Sequence, residues 1–141
     1  MGDVLGLIRE LARFEKAEDQ VSLTVEDLQK DGFGKTKRFQ CLVSTLDSKV
    51  VGMALFYERY STWKGATLYL EDLVVTESHR GRGIGNELFH AVLHRAQRGG
   101  YKRLEWQVLD WNEKAIGFYS ELGAEFDQDW INCRIRLNES L

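Results

Sequence analysis

Absences narrow this sequence first. No proline occurs in its 141 residues, and no physical reason for that is evident. Only two cysteines are present, Cys41 and Cys133. They are too few for a disulfide framework and read as buried free thiols in a reducing, cytoplasmic setting. No apolar run approaches the roughly 20 residues that cross a bilayer, so no membrane partner is expected. The opening MGDVLGLIREL carries Asp3 and no basic segment ahead of its apolar residues, unlike a secretory signal. Basic charge is not in excess: the formal net charge is −3. That argues against a nucleic-acid partner, whose footprint would be positive, and suits a small cationic substrate. Repeats, low-complexity tracts and linkers are also missing, so residues 1–141 read as a single domain.

What is present is ordinary for a globular chain, with 43% hydrophobic and 29% charged residues. Val4, Leu7, Ile8, Leu11 and Phe14 recur at helical spacing, which predicts an amphipathic helix over 3–16. Thr24 and Asp27 form a capping box for a second helix, with Asp31-Gly32 as its stop. The runs 38–46 and 49–60 flank Asp47-Ser48 as a hairpin, and a third strand is expected over about 66–75. Ile84, Leu88, Ala91, Val92 and Ala96 restore the helical period until Gly99-Gly100. A strand is expected at 103–110, a helix capped by Asn112 at 112–122, and a last strand over 130–137. Adjacent strands early and strand–helix–strand order later predict an α+β domain, a mixed sheet with helices on both faces.

Between the third strand and the third helix lies TESHRGRGIGNEL (76–88). Gly81, Gly83 and Gly85 allow left-handed angles and close approach of a ligand to the backbone. The first N–H groups of the following helix lack internal partners and carry the positive end of its dipole, which suits a phosphate or pyrophosphate. Arg80 and Arg82 add charged donors. The P-loop pattern is absent, and so is G-x-G-x-x-G, since the spacing here is G-x-G-x-G. On this stretch alone, a tight turn with a glycine-rich cap is the other reading.

Arg80-Gly81-Arg82-Gly83-Ile84-Gly85 resembles the R-x-x-G-x-G pyrophosphate loop of the GCN5-related N-acetyltransferases (GNAT), and DWNEKAIGFYSELGAE (110–125) resembles that family's strand–Asn–helix segment. FEKAEDQV (14–21), DGFG (31–34), YSTWKG (60–65), LYLEDLVV (68–75) and VLDWN (108–112) are similar to the diamine acetyltransferases, with YSTWKG and VLDWN nearest the thialysine N-epsilon-acetyltransferase branch. The resemblance covers nearly the whole chain and implies the acyl-CoA N-acyltransferase fold. That family opens with a strand ahead of its first helix, and here this first strand is missing. The next strand is then expected at an exposed edge.

The resemblance implies acetyl transfer from acetyl-CoA directly to a primary amine of a small cation, with no acyl-enzyme and no metal. Leu73, Val74 and Val75 would bind the pantetheine arm through their backbone, at a bulge that splays the sheet. Arg80, Gly81, Arg82, Gly83, Ile84, Gly85 and Asn86 would hold the pyrophosphate, and Asn112, Glu113, Lys114 and Ala115 would contact coenzyme A. Glu71 is the functional acid beside the amine, acting by binding and a water relay, because a carboxylate near pKa 4.3 is a poor direct base for an ammonium near 10.4. Asp72, on the opposite face if the strand is regular, joins Phe14, Glu15 and Trp63 as candidate acceptor residues. Tyr119, also at the coenzyme A site, is the general acid toward the leaving thiol. Ser61 stands where the polyamine branch has an acid, which favours a short amine. A homodimer with acceptor sites near its interface is implied too.

His90 and His94 share a helical face but lack a third ligand, so no metal site is expected. Trp106, Trp111 and Trp130 read as core or interface residues. Two other functions fit the same fold: a protein lysine or N-terminal acetyltransferase, which would need an open peptide groove, and a non-catalytic acyl-CoA-binding module, against which Glu71, Tyr119 and the intact glycine loop argue.

Overall fold

The computed structural model of the chain describes residues 1–137. It forms two compact units, Met1–Gln107 and the residues from Val108 onward.

The first unit opens with α1 (Gly2–Phe14), which buries Val4, Leu5 and Leu7. A Schellman turn ends it: Lys16 N–H donates to Arg13 O at 3.1 Å and Ala17 N–H to Ala12 O at 2.8 Å. α2 (Val25–Phe33) starts at the expected capping box, with Asp27 N–H donating to Thr24 Oγ1 at 3.1 Å and Thr24 N–H to Asp27 Oδ2 at 3.0 Å. It continues past Asp31-Gly32. Gly32 serves close packing instead of termination, since a Cβ there would lie 2.9 Å from Met1 Cε and 3.0 Å from the Phe39 ring.

The sheet runs in the order β1 (Gln40–Leu46), β2 (Lys49–Ser61), β3 (Gly65–Val75), β4 (Leu104–Glu105). The first two pairings are antiparallel and the third is parallel. Asp47 and Ser48 have φ of 51° and 65°, so both central residues of the β1–β2 turn are left-handed, as a type I′ turn requires. α3 (Ile84–Arg98) makes the crossover from β3 to β4. Met53, Leu55 and Val74 form one buried cluster with Val4, Leu5, Leu7 and Leu28, which puts α1 and α2 on one face of the sheet. On the other face, a Cβ on Gly52 would meet Leu88 Cδ1 at 3.2 Å and Ile84 Cγ2 at 3.3 Å, so α3 sits close against the strand there. The mixed sheet with helices on both faces is therefore as the sequence predicts, and β1 is an edge strand.

Three expectations need correction. The strand expected over 103–110 contracts to Leu104–Glu105. Residues 130–137 form no strand among the described residues; alternation supplies two faces, but a strand also needs a ladder partner for its backbone. Trp130, Ile131 and Ile135 there are 73%, 88% and 86% exposed, so Trp130 is not a core residue of the chain. Nor are both thiols buried: Cys41 is half-buried and Cys133 is exposed.

The second unit contains α4 (Glu113–Glu121). Asn112 caps it, Oδ1 accepting from Ala115 N–H at 3.2 Å, and Gly123 follows its end with φ of 87°.

Candidate active site

A register step brings the acidic residues together. Leu55 pairs with Asp72 and the next residue, Phe56, pairs with Leu70, so Glu71 is left over in the ladder. The irregularity expected at Leu73–Val75 therefore lies at Glu71, and those three residues pair regularly with Ala54, Met53 and Gly52. A bulge also cancels the strict alternation that would part Glu71 from Asp72. Asp72, opposite Leu55, shares the face covered by α1. Its carboxyl is pushed up to about 6 by burial, then by the charges of Glu71 and Glu15. Burial also raises Glu15, the residue that ends α1.

Tyr57 and Tyr69 pair across the strands with ring centroids 5.5 Å apart. Burial raises both phenols, and the Glu71 charge raises them further. Burial and Asp72 push the Cys41 thiol up to about 11. Partly buried Asp72 and Glu15 thus lie within electrostatic reach of each other and of the exposed Glu71, while Arg59 stands 5.0 Å from the centroid of the Tyr69 ring. Such an acidic corner favours a bound ammonium, because a cation relieves the repulsion that raises Asp72.

The glycine turn lies in the same compact unit. Gly81 and Gly83 both have φ of 80°, and an added Cβ at either would meet open space, so the requirement for glycine is conformational. Gly83 caps α3, and the helix ladder begins with Glu87 N–H donating to Gly83 O at 3.0 Å. The amides of Ile84, Gly85 and Asn86 precede that ladder and point out of the helix N-terminus, the geometry that binds an anion. Arg80, the residue before Gly81, is anchored: Nε donates to Val75 O at 2.9 Å, and the guanidinium carbon lies 6.0 Å from the Phe14 ring centroid. Phe14 of α1 thus touches the loop that precedes the glycines.

The sheet opens beside these parts. β3 pairs with β4 only at Leu68 and Tyr69, so the β4-facing edge from Leu70 to Val75 has no strand partner among the described residues. Apart from Val75 O, which accepts from Arg80, backbone groups on that edge are available to an extended ligand arm. The turn, the free amides and the open edge together fit a nucleotide-linked thioester such as acetyl-CoA.

Trp63 lies apart from the acidic corner. It is 80% exposed at the tip of the β2–β3 hairpin. Six residues of β3 separate that tip from Glu71, about 20 Å at strand spacing. Ser61 Oγ holds the tip by accepting from Trp63 N–H and Lys64 N–H at 3.2 Å and from Arg103 Nη2 at 3.0 Å. In the second unit Tyr119 is half-buried on α4, its ring 5.3 Å from that of Phe118. Glu113 and Lys114 are exposed in the first turn of α4, while Asn112 and Ala115 satisfy each other in the cap.

Sequence reasoning missed Tyr57, Tyr69 and Cys41 as neighbours of the acids. The available signal was the two-residue spacing of Tyr69 and Glu71 along a strand with a cross-strand tyrosine.

Comparison with known proteins gives a consistent outcome. A model of the acetyltransferase (GNAT) family matches residues 6–124. Thialysine N-epsilon-acetyltransferase of Bos taurus is 45% identical over 132 residues, covering 88% of this chain and 78% of the bovine protein. Among solved structures, an integron cassette protein from the mobile metagenome of V. cholerae superposes with a TM-score of 0.77 at 26% identity, over 96% of this chain and 86% of that one. An aminoglycoside N-acetyltransferase in complex with CoA shares the fold at 20% identity, with a TM-score of 0.69 over 97% and 93% of the two chains.

Proposed function

Because the chain belongs to the GNAT acetyltransferase family, we propose that it transfers acetyl from acetyl-CoA directly to the primary amine of a small cation. Thialysine, a lysine-like amine or a diamine fits best, in line with the activity named for the bovine relative. The observation that carries this reading is the acidic corner of Glu15, Glu71 and Asp72 in one compact unit with the glycine turn.

Acetyl-CoA supplies an acyl group activated as a thioester. Gly81 and Gly83 shape the turn, and the amides of Ile84, Gly85 and Asn86, with Arg80 and Arg82, hold the diphosphate. The free edge at Leu73–Val75 orients the arm and offers N–H groups to the thioester oxygen. Asp72 and Glu15 fix the ammonium, and Glu71 takes its proton through water. Two protons leave the substrate nitrogen: one reaches solvent by the Glu71 relay, and one makes good the proton that a general acid gives to the departing sulfur, the role that the resemblance assigns to Tyr119. The C–S bond breaks as the C–N bond forms.

The same reading includes a cytoplasmic homodimer. The dimer, not the location, is what the exposed Tyr60 and Trp63 at the hairpin tip support, apolar surface of the kind that subunit contacts cover. Sedimentation at micromolar concentration checks the assembly.

The test of function is thiol release from acetyl-CoA with thialysine, lysine, ornithine, putrescine, spermidine and a lysine peptide. Turnover is expected with the small amines and not with the peptide. Turnover with the peptide alone would replace this reading by protein acetylation, and CoA binding without any turnover would make the chain a binding module.

A further inference from the structure

Glu10 lies on α1, one helical turn before Phe14. Its carboxylate takes up the segment that leads into the glycine turn. Oε1 accepts from Thr76 Oγ1 at 2.9 Å; Oε2 accepts from Glu77 N–H at 3.0 Å and from Arg80 Nη2 at 3.2 Å. Glu77 N–H is the first amide of the 3₁₀ turn Glu77–His79, so the carboxylate caps that turn from another element. Arg80 is then held on three sides: by Glu10, by Val75 O and by the Phe14 ring.

We propose that Glu10 is a positioning residue for the acyl donor, orienting the Arg80 guanidinium at the mouth of the glycine turn. Of its five N–H groups, Arg80 spends one on Val75 O and one on Glu10, and three stay available to a diphosphate. The carboxylate removes the rotamer freedom that a long, partly exposed arginine would otherwise lose on binding. Its negative charge costs some attraction for the phosphates, but both side chains are partly exposed, 37% for Arg80 and 27% for Glu10, and that repulsion is partly screened. Pre-organisation is the larger effect. The inference rests on the donor site assigned above, and its readout is binding, with no turnover required.

The experiment is calorimetric titration of CoA into wild type, Glu10→Gln, Arg80→Gln, the double variant, and Thr76→Val. Glu10→Gln keeps an acceptor for the turn but loses the ion pair, and Kd is expected to rise about fivefold. Arg80→Gln raises it at least as far, and the double variant binds no more weakly than Arg80→Gln alone, because Glu10 acts through Arg80. Thr76→Val removes a donor to the same carboxylate without touching Arg80, so it lowers thermal stability and leaves Kd within about twofold. An unchanged or lower Kd for Glu10→Gln overturns the proposal. So does multiplication of the two single effects, or an equal weakening by Thr76→Val, which would make Glu10 merely structural. If Glu10→Gln does not fold, Arg80→Lys decides instead: it keeps the charge but not the two-pronged hold, and wild-type affinity there overturns the proposal. Absence of any CoA binding by folded wild type would remove the donor-site reading itself, whereas a normal wild-type isotherm with an indifferent Glu10→Gln removes only this inference.

Discussion

Asp72 stands directly across the β2–β3 ladder from Leu55, an acid paired with a core residue on the face that α1 covers. Burial there raises its carboxyl to about 6, above the ordinary value of 3.8. The folded chain therefore binds this proton more tightly than the unfolded chain. Stability of the ligand-free protein falls as pH rises from about 4 through about 6, by on the order of 2 kcal/mol. Asp72→Asn flattens this slope and raises Tm at pH 7. The amine responds oppositely: its KM falls as pH rises through about 6, when Asp72 gains its charge, and Asp72→Asn loses that dependence. Urea melts and amine KM measured from pH 4.5 to 8 check both.

Tyr119→Phe keeps the ring beside Phe118 and removes the hydroxyl to which we assign proton donation. The expected result is a fall in kcat of about 100-fold, with acetyl-CoA affinity within twofold of wild type. Single-turnover kinetics separate the two. A fall in affinity with kcat intact would assign the residue to packing.

Gly81 and Gly85 answer differently to alanine. At Gly81, φ of 80° makes any side chain strained, costing about 1 to 2 kcal/mol in the free protein. At Gly85 a Cβ would lie 3.7 Å from Val75 Cγ2, an ordinary contact, so Gly85→Ala keeps its Tm. A rise in Kd for CoA in Gly85→Ala then reports close approach of the ligand to that backbone, free of folding effects. Paired thermal melts and CoA titrations test this.

Ser48 occupies a left-handed position of the β1–β2 turn at φ of 65°. Ser48→Gly is expected to stabilise the protein by about 1 kcal/mol without altering kinetics, since glycine is the residue that a type I′ turn favours there. Chemical denaturation measures it.

Much of this was legible in the sequence, for physical reasons that differ by element. Local signals carried α1, α2, α3, α4 and the three long strands, because caps, turns and periodicity act within a few residues, as the Thr24–Asp27 box does. Non-local pairing was not legible. Nothing in WINCRIRL states which strand would accept it, and nothing in 103–110 states that the ladder stops at Glu105. The site divided along the same line. The glycine turn follows from residue type, and Glu71 and Asp72 from a motif. That both acids act on one side depends on a bulge, which alternation of a regular strand predicts wrongly. Glu10 was invisible for the same reason, since its partners lie 66 to 70 residues away.

That separation has a consequence for the order in which the chain is made. During synthesis at about 5 to 20 residues per second, Glu10 waits roughly 3 to 13 seconds before Thr76 exists. For about two thirds of that interval the apolar stripe of Val4, Leu5 and Leu7 lacks Met53, and for nearly all of it Val74. α1 is thus made well before the strands that it packs against. A nascent chain stalled before residue 53 would present that stripe to the chaperones of the cell.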